Sequence, residues 1–200
     1  TGGIEKVNRI LMKAGTDLQT AHQIKFNALS LYDTAPDEKY IKKRRFKGFD
    51  GALFKFIRTS VSAAKESDTV LLSHINLSLV GLLIKIFSPH TKILVQAHGI
   101  EVWKKLNFVK RTLLHQADCI LPVSEFTKNK LVNLHHVSKE KCFVLNNSLD
   151  PYFDTSKNLM IEEKLIQKHQ IKPDDTILIT LTRLVSSEKY KGYDKVIKAL

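Results

Sequence analysis

Residues 92–128 read KILVQAHGIEVWKKLNFVKRTLLHQADCILPVSEFTK, and this stretch decides the fold. It opens on a short apolar run, Lys92 to Ala97, and returns to another at Asp118 to Val123. Between them Leu106 to Gln116 carries apolar residues at helical spacing,. Two strands joined through a helix run parallel, because an antiparallel pair needs only a tight turn. Ser124 then stands as an N-cap for a further helix over Glu125 to Leu134,. The expected unit is strand, helix, strand, helix, with residues His98 to Glu101 and Ser124 at the carboxyl ends of the strands.

The same alternation extends in both directions. Strands are predicted near Phe26 to Tyr32, Thr69 to Ser73, Cys142 to Leu145 and Thr176 to Thr182,. Helices are predicted over Ile4 to Ala14, Gly51 to Glu66 and Leu77 to Phe87. The first presents Ile4, Val7, Ile10 and Leu11 on one stripe, and the second presents Leu53, Phe54, Ile57, Val61 and Ala64,. The expected class is α/β, a Rossmann-like parallel sheet with helices on both faces, followed by the first βα unit of a second such domain. After Leu149 the pattern turns polar, with a helical stretch over Ser156 to His169 and a turn at Lys172, Pro173, Asp174 and Asp175,. The expected division is a first domain over 1–155, a linker helix and turn over 156–175, and the start of a second domain over 176–200. The chain opens on Thr1 and stops inside a helical pattern begun at Gly192, so both ends are expected to be cut and the first strand of the first domain to be missing.

With 200 residues, 43% of them hydrophobic, the chain can bury one sizeable core but not two complete α/β domains,. Cys119 and Cys142 each sit in an apolar run, as small buried hydrophobes do, and not in a disulfide or CxxC metal pattern. A reducing compartment is expected. The longest apolar stretch, Ile75 to Phe87, contains Lys85 and is shorter than the roughly 20 residues of a membrane span. The formal net charge is +12, densest at Lys39 to Lys47, KYIKKRRFK. That stretch reads either as a solvated basic loop or as a contact with an anionic membrane through Lys42, Lys43, Arg44 and Arg45, with Tyr40 and Phe46 interleaved. Nucleic acid is not expected as a partner, since no zinc-finger spacing, RNP aromatics or helix-turn-helix accompanies the charge.

Ligands of open parallel sheets lie beyond the carboxyl ends of the strands. Residues placed there are Ser73 and His74, then His98, Gly99 and Glu101, then Ser124, then Asn146 and Asn147, and finally Arg183 with Lys191. Gly2 and Gly3 precede a helix, where they serve either a tight turn or the close approach of a phosphate to the helix N-terminus. His74 reads first as a hydrogen-bonded structural residue. His98 is the stronger candidate, with Gly99 and Glu101 beside it. His135 and His136, at a polar helix end, are expected on the surface. Arg183 and Lys191 could close on one anion, the planar fork and the point charge together suiting a diphosphate. No metal site is expected: no Asp-x-Asp stands at a strand end. No Ser-His-Asp order or nucleophile elbow supports a hydrolase.

Five segments, TGGIEKVNR (1–9), QAHGIEVW (96–103), ADCILPVSEFTK (117–128), LNNSLDPYF (145–153) and TRLVSSEKYKGYDKVIKAL (182–200), resemble in order and spacing the retaining glycosyltransferases of family 4. The resemblance implies the GT-B architecture, two Rossmann-like domains across a cleft, the first for the acceptor and the second for a nucleoside-diphosphate sugar. It implies that Gly2 and Gly3 face the donor diphosphate, that His98 lies beside the donor sugar, and that Arg183 and Lys191 hold the diphosphate. These three, His98, Arg183 and Lys191, are the expected catalytic residues. His74, Glu101, Ser124 and Asn147 are expected to line the acceptor side of the cleft. No cofactor is expected beyond the donor substrate.

The implied reaction moves a hexose, with retention, to a glycan or lipid-linked acceptor in cell-envelope polysaccharide synthesis, in the cytoplasm and peripherally at the inner membrane face. Retention in the family is thought to proceed by front-face attack, the leaving phosphate helping to take the acceptor proton. Two features depart from the family pattern: the loop from Arg183 to Lys191 is long, and NSLD follows where a glycine often succeeds the asparagine. The family's paired donor-domain glutamates are expected beyond Leu200, so this piece by itself is expected to be inactive. The alternative is a non-catalytic module that binds a glycan or a membrane.

Overall fold

The computed structural model describes residues 2–22, 24–154, 163–182 and 191–199. The chain divides into two compact units, Thr1–Phe153 and Asp154–Leu200. The first unit holds α1 (Gly3–His22), β1 (Ala28–Ser30), β2 (Phe46–Gly48), α2 (Leu53–Ala64), β3 (Thr69–Leu72), α3 (Ser78–Phe87), β4 (Lys92–Ala97), α4 (Phe108–Gln116), β5 (Cys119–Pro122) and α5 (Glu125–His135). It is an α/β unit with parallel sheets flanked by helices.

β3, β4 and β5 form one sheet in that order, all parallel, with Leu72 opposite Val95 and Ala97 opposite Pro122. The sheet grows in one direction through α3 and then α4, which packs these two helices against each other,. Its core is continuous: Ile93, Val95 and Ala97 of β4, Ile120 of β5, Ile84 of α3, and Leu113 and Leu114 of α4 are all shielded from water. Parallel strands covered on both faces need such near-unbroken apolar runs. β1 and β2 pair in a separate parallel sheet, Ala28 opposite Phe46.

Beyond β5 the expected strand at Cys142 to Leu145 is reduced to one bridge, Ile120 with Cys142. The amides of Phe143 and Leu145 donate to Ile120 O and Pro122 O, each at 2.9 Å. The segment thus lies along β5 as a partial fourth strand, with Phe143 and Leu145 themselves exposed. Cys142 is buried and Cys119 half-buried, both free, and burial pushes both thiols up,.

α1 runs on past Ala14, where the sequence pattern stops, to His22. Gly15 does not end it: the glycine is buried, and a Cβ there would meet the Phe26 ring at 2.7 Å. The polar second half satisfies itself, Thr16 and Thr20 donating to Met12 O and Thr16 O and Lys13 pairing with Asp17,. Among the described residues no helix is long and apolar enough to cross a membrane.

The second unit contains α6 (Glu163–His169) and α7 (Tyr193–Lys198). The expected strand over Thr176 to Thr182 is not formed: these residues carry no regular structure, and Ile179 and Leu181 are exposed. A strand exists only as part of a ladder. The expected linker helix is described from Glu163 onward, and 155–162 and 183–190 lie outside the described residues.

Candidate functional site at the carboxyl edge of the sheet

Three loops meet where β3, β4 and β5 end. After β3, His74 caps the 3-10 turn Ile75–Leu77, its Nδ1 accepting the Asn76 amide at 3.0 Å. After β4, His98 leads to Gly99, whose φ of 135° is open only to glycine, and whose missing Cβ would sit 3.0 Å from Cζ2 of Trp103,. Glu101, in the following 3-10 turn Ile100–Val102, reaches back so that Oε1 accepts the His98 amide at 2.5 Å. After β5, Ser124 caps α5 by accepting the Thr127 amide at 3.2 Å and donates to Thr127 Oγ1 at 3.1 Å,.

The two imidazoles are fixed in tautomer as well as place. His98 Nε2 lies 2.7 Å from Ser73 O; a carbonyl only accepts, so that nitrogen carries the proton. His74 Nδ1 accepts from an amide, so its proton sits on Nε2,. The rings stack at 5.9 Å between centroids and 28° between planes. Burial first, and then the neighbouring His98 and Lys110, hold the His74 pKa below the usual histidine value, with Glu101 acting in the opposite sense,. Among the described residues neither ring makes a further hydrogen bond, so His98 Nδ1 is left to accept one and His74 Nε2 to donate one. A hydroxyl group gives and takes one of each.

The loops are braced from below. Trp103 donates through Nε1 to Thr127 Oγ1 at 3.3 Å and meets Phe126 edge to face at 5.1 Å. His135, expected on the surface, is instead 3% exposed and lies with Nε2 2.8 Å from Val102 O. A helix end reads as polar in sequence, but here it turns inward under the Ile100–Val102 turn. His136, in a left-handed conformation at the helix C-terminus, is the exposed member of the pair.

The structure therefore brings His74, His98, Glu101 and Ser124 to one edge. Asn146 joins them indirectly, donating to Val123 O at 3.1 Å, while Asn147 is exposed and makes no hydrogen bond among the described residues. Gly2 and Gly3 sit at the start of α1, where a Cβ would meet nothing within 4 Å. α1 is tied to the domain at Tyr40 O and Asp37 by Thr16 and Arg9, and among the described residues it makes no hydrogen bond or ion pair with the histidine loops. Lys191 belongs to the second unit, just before Gly192 and α7. Arg183 lies outside the described residues. No group of three potential metal ligands occurs among the described residues.

In the basic stretch, Lys42, Lys43 and Arg44 are exposed and Arg45 is half-buried, its guanidinium donating to Asn27 Oδ1 at 3.4 Å. Tyr40, expected to interleave with these bases at a surface, is instead 5% exposed, with its hydroxyl on Asp150. The sequence pattern missed Trp103 and α5 as parts of one structure. The signal for them was present: Trp103 is the chain's single tryptophan, and Asn129 and Asn133 stand four residues apart on a helix. No protein-family model matches the chain, and no curated protein matches it.

Proposed function

We propose that this chain supplies the acceptor-side domain of a retaining glycosyltransferase that moves a hexose from a nucleoside-diphosphate sugar to a glycan or lipid-linked acceptor, at the cytoplasmic face of a membrane, in cell-envelope polysaccharide synthesis. The observation that carries the reading is the imidazole pair at the sheet's carboxyl edge. His98 is held through Nε2 by Ser73 O and through its amide by Glu101, leaving Nδ1 for a sugar hydroxyl. The five segments resembling the family supply the rest of the scheme. Gly2 and Gly3 would let the diphosphate approach a helix N-terminus, and Arg183 and Lys191 would neutralise the charge that grows as it departs. Fixed cations in a water-poor cleft stabilise such charge without reorganising.

The test is release of nucleoside diphosphate from a panel of nucleoside-diphosphate hexoses by the full-length protein carrying this chain, with membrane lipid extract as acceptor. His98→Ala and Lys191→Ala are each expected to lower transfer roughly 100-fold, with the far-UV circular dichroism unchanged. Wild-type rates in both variants overturn the assignment.

One observation favours a membrane-binding role within the same reading. At the start of α2, Leu53 and Phe54 are exposed, Phe54 by 87%, beside the exposed cations Lys55 and Arg58. Apolar side chains flanked by cations suit the headgroup boundary of an anionic bilayer. Transfer to a lipid-linked acceptor would be aided by such a foothold.

A further inference from the structure

Between the Trp103 loop and α5 lies an open hollow of about 510 Å³ lined by Trp103, Phe126, Asn129, Lys130, Asn133 and Leu134. That volume falls in the usual range for small-molecule sites, about 300–1,000 Å³. We propose that the hollow is a binding subsite for a pyranose ring of a glycan. The class of ligand follows from the lining. A pyranose has an apolar C–H face and a rim of hydroxyls, and the hollow offers aromatic rings together with two carboxamides, each able to donate and accept. Asn129 and Asn133, one turn apart on α5, share a face, both are exposed, and neither carboxamide makes a hydrogen bond among the described residues.

Trp103 is already immobilised, so a sugar packing on it orders little else. Its indole N–H is spent on Thr127, Phe126 abuts it edge to face, and its six-membered ring lies against Gly99, where a Cβ would crowd it. His135 holds the carbonyl of Val102 next to it. Pre-formed sites of this kind lose little affinity to ordering. Phosphate-rich ligands fit poorly: Lys130 is the single cation of the lining, and its ammonium lies 5.4 Å from the Phe126 ring centroid. Because Trp103 packs on Gly99, adjacent to His98, a glycan seated here lies along the loop that carries His98. The subsite rests on the transferase reading only for calling that glycan the acceptor.

As the only tryptophan beside five tyrosines, Trp103 can be excited selectively at wavelengths that tyrosine does not absorb, and its emission then reports on the surroundings of this hollow. Titration of the chain with cellobiose, maltose, lactose and a glucuronate-containing disaccharide, with glycerol as the control, is expected to give a saturable change in emission for at least one sugar and none for glycerol. In the Asn129→Ala/Asn133→Ala variant the dissociation constant should rise roughly tenfold, and the thermal unfolding temperature, monitored in parallel, should not fall, because both positions are exposed and alanine favours the helix,. Either no saturable response to any sugar, or the same dissociation constant in the double variant, overturns the subsite. Neither result touches the transferase reading, which stands or falls on donor turnover in the His98 and Lys191 variants.

Discussion

His74 shows what a single side chain contributes at this edge. Its Nδ1 lone pair caps a 3-10 turn while its ring stacks on His98, so a proton on Nδ1 would remove the cap and place charge in a partly buried spot. The groups facing it are His98, Lys110 and Glu101, and the balance with burial holds its pKa below the ordinary 6.5. A histidine depressed in the folded state favours the neutral form there. The stability it lends is therefore present above about pH 6.5 and is lost as the pH falls from there through the lowered value. His74→Asn keeps an acceptor for the Asn76 amide but cannot titrate. Urea unfolding across that window should show the variant flatter with pH than the wild type; identical pH profiles would remove His74 from this account. Ser124 as a cap was legible in sequence because capping is local, a serine followed by a helix. The tautomers of His74 and His98 were not legible, since each depends on a partner brought by folding.

At the level of elements, the end of the first unit is fastened by a small aromatic clamp. The Tyr40 hydroxyl donates to Asp150, the Tyr152 hydroxyl donates to Lys39 O at 2.7 Å, and the two rings meet edge to face at 5.6 Å. Lys39 Nζ lies 4.2 Å from the Tyr152 ring centroid,. The hydrogen bond to Asp150, then burial and the nearby carboxylate charge, push the Tyr40 pKa up to about 12. The same bond, with the Tyr152 amide, holds Asp150 below its ordinary value. A raised tyrosine favours the protonated form when folded, so the clamp is intact below about pH 10 and is lost as pH rises through about 12,. On the acid side it weakens as pH falls below the ordinary aspartate value and Asp150 takes up a proton. Absorbance titration of tyrosinate should show one late-ionising tyrosine that disappears in Tyr40→Phe, and limited proteolysis should cut that variant faster within 149–153. Equal cutting of both proteins would mean the clamp does not hold this segment. β2 was hidden for a related reason: within KKRRFKG little in the sequence signals a strand, and Phe46–Gly48 becomes one only by pairing with β1.

Across the whole molecule the excess of positive charge, +12, acts at longer range than any one contact and is screened by salt. Binding to vesicles is expected to rise with the fraction of anionic lipid and fall with added salt. Reversing Lys42, Lys43, Arg44 and Arg45 to glutamate should abolish it, and co-sedimentation unaffected by the four changes would sink the membrane contact. Tyr40 cannot take part, being inside, whereas Phe54 at the head of α2 is exposed.

The sequence by itself determined the alternation of strand and helix from β3 through α5, the parallel sense of that sheet, and the edge on which His74, His98, Glu101 and Ser124 fall. Hydrophobic period and capping are encoded within a few residues, so they can be read before folding. Only the tertiary structure decided that His135 and Tyr40 turn inward, that Trp103 and α5 border an open hollow, and that Thr176 to Thr182 forms no strand. Those outcomes depend on partners far away along the chain, 33 residues for His135 with Val102 and 110 for Tyr40 with Asp150. Burial of a polar side chain follows from whether such a partner arrives, and local pattern carries no record of it.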